Sequence, residues 1–354
     1  MRFSRFMELA LYDPQDGYYA SGRAQVGRDG DFFTNVSVGP LFGEMLAGQF
    51  LEMWDSLGRP DEFTLVEQGA NNGQLAADVL DALHGTPLEN IRLIIVEPFS
   101  RVREHQSTTL RNKNVSWVES PGDLPEFTGV HFSNELFDAL PVDLLQAKSQ
   151  SWHQLLVHER DGFFFFVPSP IADPSTGLPP RPDGFTTEQR TGQSDLLSSL
   201  AAKMRRGFLL AIDYGMSRGE LLAPHRKAGT IACYKSHQRS SDPLVHPGEQ
   251  DITAHVDFTS LVHDACAAGF DLSAFTDQHH FLVGAATRLL KSLDGLPPAP
   301  DTQKKLRSLR TLLHPETMGT QFKVLLLSKN VSDTSAAPIS GFQHAKEPSF
   351  LISD

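Results

Sequence analysis

Apolar positions along the chain change period several times. Phe3, Phe6, Met7, Ala10 and Leu11 recur at helical spacing, and the turn-rich stretch YDPQDGYYASG ends that helix. A second helical pattern runs through Phe42, Met45, Leu46, Phe50, Met53 and Trp54. Between them lies GRDGDFFTNVSVGP, a loop rich in Gly and Asp. From residue 63 onward, strand and helix patterns alternate. The predicted strands are FTLVEQ, RLIIVE, VSWVE, GVHFSNE, FLLAIDYG and FKVLLLSK. Runs such as LIIV and FLLAI are apolar at consecutive positions, as strands buried on both faces of a parallel sheet require. The alternation predicts a doubly wound α/β arrangement.

Two segments interrupt it. LLVHERDGFFFFV predicts a hairpin turning at Asp161-Gly162, followed by a Pro-rich loop over about residues 168–184. Residues 216–255 are polar without clear periodicity. The organisation expected is a helical segment with its loop (1–60), a first part of the α/β domain (61–145), and an inserted hairpin, Pro-rich loop and helix (146–206). A second part of the α/β domain follows (207–330, with the polar insertion 216–255), then a Ser/Pro-rich, loosely held tail (331–354).

Composition narrows the function. The chain has 354 residues, 40% hydrophobic and 21% charged, with 31 basic against 43 acidic residues and a net charge of −12. It has no long Lys/Arg run, so extended binding to nucleic acid or an anionic membrane is not expected. No apolar run approaches the roughly 18 residues that span a bilayer. Cys233 and Cys266 have no metal-site spacing and read as free thiols in a reducing compartment, so a cytoplasmic protein is expected. No metal is expected.

The most informative stretch is LVEQGANNGQLAADVLDALH, residues 65–84. A strand ends at Glu67, Gly69 and Gly73 bracket a turn, and a helix begins at Gln74 with Leu75, Val79, Leu80 and Leu83 on one face. Glycine permits positive φ and close approach of a ligand, and the helix start adds free N–H groups. The spacing lacks the G-x-G-x-x-G of dinucleotide sites and the Gly-Lys-Ser/Thr of phosphate loops. Glu-x-Gly-x-x-x-Gly instead resembles the first motif of S-adenosylmethionine-dependent methyltransferases, whose ligand carries a sulfonium and an amino group and no phosphate. Glu67 suits that charge. The second strand ends in Glu97, thirty residues later, where a carboxylate can accept both ribose hydroxyls. The plainer alternatives are an ordinary strand-to-helix turn and a solvated strand-end acid.

The resemblance extends along the chain. FMELALYDPQDGYY, GDFFT, FGEML, LVEQGANNGQL, SNELFDALPV, IDYG, HPGEQDITAHVDF and HPETMGTQFKVL occur in order and resemble the MidA-type family of S-adenosylmethionine-dependent methyltransferases. The mitochondrial member of that family is an arginine methyltransferase that assists assembly of respiratory complex I. The family usually has a Gly-Pro-Gly-Arg-Gly turn; here Asn71 replaces the middle glycine, and Asn tolerates left-handed backbone better than most residues.

The resemblance implies a Rossmann-like class I methyltransferase sheet with a helical N-terminal lid and an inserted substrate-binding region. Its implied cofactor is S-adenosylmethionine, held by Glu67, Gly69, Asn71, Gly73, Gln74, Glu97, Pro98 and Asn134. Gly30, Asp31 and Phe32 of GDFFT would fold over it; the alternative is a loop anchored by buried phenylalanines. SNELFDALP offers Glu135 and Asp138 as catalytic acids on a first helical turn, able to hold a guanidinium bidentately. A helix cap with dipole-favouring acids is the alternative. Asp213, Tyr214, His255 and Asp257 are placed on the substrate cleft, the last two at a helix start before Phe258. The expected acceptor is an arginine of a partner protein, a respiratory-complex subunit where the resemblance extends that far. The alternatives are methylation of a small molecule or another side chain, and a non-catalytic assembly factor that keeps the fold.

Overall fold

The computed structural model describes residues 1–22, 35–235, 238–287, 290–291, 299–314, 319–331 and 339–352. Its main sheet is built from β1 (Thr64–Gln68), β2 (Arg92–Val96), β3 (Val115–Val118), β4 (Phe127–Asn134), β9 (Met204–Met216), β14 (Asp271–Asp277) and β15 (Phe322–Lys329). Their order is β14-β15-β9-β4-β1-β2-β3. β1, β2, β3, β4 and β9 are parallel, and β15 runs antiparallel to both neighbours. The chain winds outward from β1 to β3 and then returns to β4 on the other side of β1. That reversal opens a crevice at the carboxyl ends of β1 and β4, where open α/β sheets bind ligands.

The unbroken apolar runs follow from burial on both faces. Leu65, Ile95, Leu210 and Val324 pack into one layer with α2 (Leu41–Ser56), α3 (Gln74–Ala82), α8 (Gln278–Ala285) and α9 (Pro300–Leu313). Their neighbours Val66, Ile94, Leu209 and Leu325 face the opposite layer with α5 (Gln193–Lys203) and α7 (Phe258–Ala267). α4 (Ser100–Thr109) joins β2 to β3.

The interruptions are folded. β5 (Val142–Lys148), β6 (Ser151–Arg160), β7 (Phe163–Pro168) and β8 (Thr186–Arg190) form an antiparallel sheet ordered β7-β6-β5-β8. The hairpin turns at Asp161 (φ 55°) and Gly162 (φ 82°), both left-handed, as the Asp-Gly pair predicts. The polar stretch 216–255, expected to lack periodic structure, contains α6 (Arg218–Leu221) and a small sheet of β10 (Ala232–Lys235), β11 (Gln238–Ser240) and β12 (Asp251–Thr253). These strands are three or four residues long, too short for an alternating pattern to register. A two-residue strand, β13 (Val256–Asp257), pairs in parallel with the carboxyl end of β9.

The first sixty residues divide between two layers. α1 (Phe3–Tyr12) packs Phe3, Phe6, Met7 and Leu11 onto the inserted sheets, against Leu144, Val157 and Ile252, whereas α2 belongs to the main sheet. Helical spacing shows that an apolar face exists; it does not name the surface that covers it. In the tail, expected to be loosely held, Ile339 and Leu351 are buried against the two main-sheet layers.

Candidate active site

A cavity of about 880 Å³ opens at the carboxyl ends of β1, β2, β4 and β9. The turn after β1 forms its floor. Gly69, Asn71 and Gly73 all have positive φ (78°, 46° and 80°); Gly69 and Asn71 line the cavity, whereas Gly73, expected on the cofactor, sits off it at the N-cap of α3, where a Cβ would meet Leu110 at 3.1 Å. A Cβ at Gly69 would lie 3.3 Å from Leu136 Cδ1, in a backbone conformation that side chains rarely adopt. The Asn72 side chain accepts the Gln74 backbone N–H at 3.1 Å. Gln74 and Pro98 line the cavity from exposed positions.

The acids divide by environment. Glu67 is buried, lines the cavity and leaves its Oε2 without a hydrogen-bond partner. Burial, reinforced by Asp78, pushes its carboxyl up to about 8. Glu97 is raised by burial to about 7 while accepting the Phe99 N–H at 3.1 Å and the Gln106 amide at 3.3 Å. Asn134 donates to Glu135 Oε1 at 2.8 Å and accepts from Asn35 at 3.0 Å. Burial, then Asp213 and Asp251, raises Glu135 to about 8, and Asp138 stands well above the usual carboxylate range for the same causes.

Three further expectations require correction. Residues 135–140 form a bent turn, not the first turn of a helix; Glu135 has φ 57°. Asp213 is fully buried beneath that turn and does not line the cavity. Its Oδ2 accepts the backbone N–H groups of Leu136 (3.1 Å), Phe137 (2.7 Å) and Asp138 (3.4 Å), so an acid read as substrate-facing is a scaffold for its neighbours. Asp257 also lies off the cavity: it caps α7 through the Ser260 N–H at 3.0 Å and pairs with Arg218 at 2.9 Å. Glu135, Asp138, Tyr214 and His255 all line the cavity, and burial holds the His255 imidazole down at about 4. Gly30, Asp31 and Phe32 lie outside the described residues.

The far wall of the cavity is not legible in the sequence. Tyr12 and Tyr19 stack at 5.6 Å; Tyr12 donates to the Ala139 carbonyl at 2.9 Å and Tyr19 to Asp251 Oδ1 at 2.7 Å. Tyr234 and Arg239 of the small sheet complete that wall. Tyr12 and Tyr19 fall within FMELALYDPQDGYY and Asp251 within HPGEQDITAHVDF, but no spacing marks them as lining one site, because they meet only when α1 docks on the inserted sheets. Arg190, half-buried beside them, donates to the Ala254 carbonyl at 2.7 Å and offsets the charge of Asp213 and Asp138. Among the described residues, no group of three or more His, Cys, Asp or Glu is arranged to hold a metal, and no helix is long and apolar enough to cross a membrane.

A buried acid with one unpartnered oxygen, a glycine cradle and a surplus of acids fit a compact cationic ligand without phosphate. With the switch-point position they define a class I S-adenosylmethionine-dependent methyltransferase. Residues 45–276 match the family described as S-adenosyl-L-methionine-dependent methyltransferase. The mitochondrial protein arginine methyltransferase NDUFAF7 homolog of Drosophila melanogaster is 30% identical, covering 96% of this chain and 84% of that protein. Human mitochondrial protein arginine methyltransferase NDUFAF7 is 28% identical, covering 92% and 79%. A crystal structure from Burkholderia thailandensis, bound to S-adenosyl-homocysteine, superposes with a TM-score of 0.88 at 30% identity and covers 99% of this chain and 92% of that one. The chain belongs to the MidA-type family of S-adenosylmethionine-dependent methyltransferases.

Proposed function

We propose that this protein transfers a methyl group from S-adenosylmethionine to an arginine side chain of a partner protein. The observation that carries the reading is that Glu135 and Asp138 border the same cavity as the glycine turn. The names of the relatives, which are protein arginine methyltransferases, point the same way.

The cofactor supplies an electrophilic methyl group on its sulfonium. Glu67 and the turn at Gly69 would hold its charged end, and Glu97 the ribose. Glu135 and Asp138 would hold the guanidinium, fix its plane and localise its charge on the attacking nitrogen. Glu135 or Asp138 would accept the proton that the guanidinium nitrogen gives up once methylated. A lysine acceptor fits less well, because it must lose its proton before attack and flanking acids raise its pKa.

The partner we propose on the family resemblance is a subunit of a respiratory complex. The proposed compartment is the cytoplasm, on the strength of the free thiols of Cys233 and Cys266, while the relatives above are named mitochondrial. The test is incubation of the protein with isotope-labelled cofactor and host lysate, with mass spectrometry of the labelled species. Label on a protein arginine supports the reading; label on lysine or on a small molecule overturns it. Cell fractionation decides the compartment.

A further inference from the structure

α4 has the sequence SRVREHQSTT, and Gln106 is its one buried residue. A fully buried amide must be satisfied on both ends. Gln106 Oε1 accepts the Trp117 indole N–H at 2.8 Å. An indole can only donate, so the oxygen must face Trp117 and the NH₂ must point the other way. There it donates to the Asn71 carbonyl at 2.8 Å and to Glu97 Oε2 at 3.3 Å.

These two acceptors belong to different segments of the site. Asn71 is the left-handed residue in the middle of the glycine turn, and the orientation of its peptide sets where the neighbouring amides aim. Glu97 is the acid that ends the second strand. A single side chain from a helix outside both segments therefore joins them.

We propose that Gln106 is a positioning residue for the cofactor: it locks the Asn71 peptide and the Glu97 carboxylate into one unit, with Trp117 setting the orientation of its amide. The proposal rests on the assignment of Glu97 to the cofactor. The charged and titratable groups acting on Glu97 are Arg103 of α4 and the Tyr12 hydroxyl of α1, beside the Phe99 N–H and Gln106 itself. The bond from Gln106 favours the ionised carboxylate against burial. Its loss lets the Glu97 carboxyl rise, and cofactor binding, which needs the ion, then fails at a higher pH.

The experiment is calorimetry of S-adenosylhomocysteine binding from about pH 6 to about pH 9, the range that brackets carboxyls raised by burial. It is run on the wild type, Gln106→Leu, Trp117→Phe and Glu97→Gln, with a melting curve for each. Gln106→Leu is expected to weaken binding about tenfold, the scale of one hydrogen bond to a charged group. It should also move the pH at which affinity falls upward by about half a unit or more. Trp117→Phe keeps an aromatic ring, removes the indole N–H and frees the amide to turn, so a smaller shift in the same direction is expected; this variant decides the matter if Gln106→Leu does not fold. Weaker binding with an unmoved pH profile would reduce Gln106 to packing and overturn the proposal, as would wild-type binding in both variants. Glu97→Gln that binds like the wild type would overturn the assignment of Glu97 instead, which separates the two failures.

Discussion

The Asp213 carboxylate accepts the backbone N–H of Phe137 at 2.7 Å, across 76 residues of sequence. With the bonds to Leu136 and Asp138, and with Oδ1 on the Tyr214 N–H at 2.9 Å, it gathers the free backbone N–H groups of residues 136–138 as a capping side chain does for the first turn of a helix. Glu135 and Asp138 thereby reach the cavity from a non-helical turn. Asp213→Asn keeps the size but loses the charge-assisted bonds, which contribute about 1.5–3 kcal/mol each. It is expected to lower stability by about 2 kcal/mol and to reduce turnover more than cofactor affinity. Denaturant unfolding and calorimetry on the same variant check this; unchanged stability would remove Asp213 from the scaffold role.

Gly69→Val places a branched side chain at φ 78°, with its Cβ 3.3 Å from Leu136. The strain and the filled space fall on the cradle. Cofactor binding is expected to disappear while the fold persists, and calorimetry beside circular dichroism distinguishes the two. Retained affinity would move the cofactor away from this turn.

Glu135→Gln preserves shape and the bond from Asn134 while removing the charge. If the acid acts on the acceptor, cofactor affinity stays within a few-fold and methyl transfer falls by about two orders of magnitude, or about 2.7 kcal/mol of barrier. Equal loss of affinity and turnover would place Glu135 on the cofactor.

The acid cluster makes the empty protein sensitive to pH. Glu67 and Glu135 are pushed up to about 8 and Glu97 to about 7. The folded state therefore holds protons that the unfolded chain has already released. Stability from these groups is fully present below the ordinary carboxyl range and is lost as pH rises through the folded values. His131 and His255, held down to about 3 and about 4, act in the opposite sense at lower pH. The diagnostic window is thus about pH 6.5 to about 8.5, above the ordinary histidine range. The melting temperature of the empty protein is expected to fall across it, and saturating S-adenosylmethionine should recover more of it at the alkaline end. A flat or rising curve would count against the buried acids.

The sequence by itself determined the sheet strands with unbroken apolar runs, the hairpin at Asp161-Gly162, and the glycine turn between two acid-ended strands. Each is local: burial on both faces, positive φ and a strand terminus leave their mark within a few residues. The strand DLSAFTD (β14) escaped because it lies at the sheet edge with two positions exposed and three half-buried, and the small sheet β10-β12 escaped because its strands are so short. The tertiary structure alone decided what each acid does. Glu135, Asp213 and Asp257 look alike as acids near strand ends, yet one faces the cavity, one gathers backbone N–H groups and one caps a helix. It also brought Gln106 to Asn71 and Tyr19 to Asp251. A carboxylate or an amide takes its role from the groups that satisfy it once water is gone, and those groups arrive from distant parts of the chain.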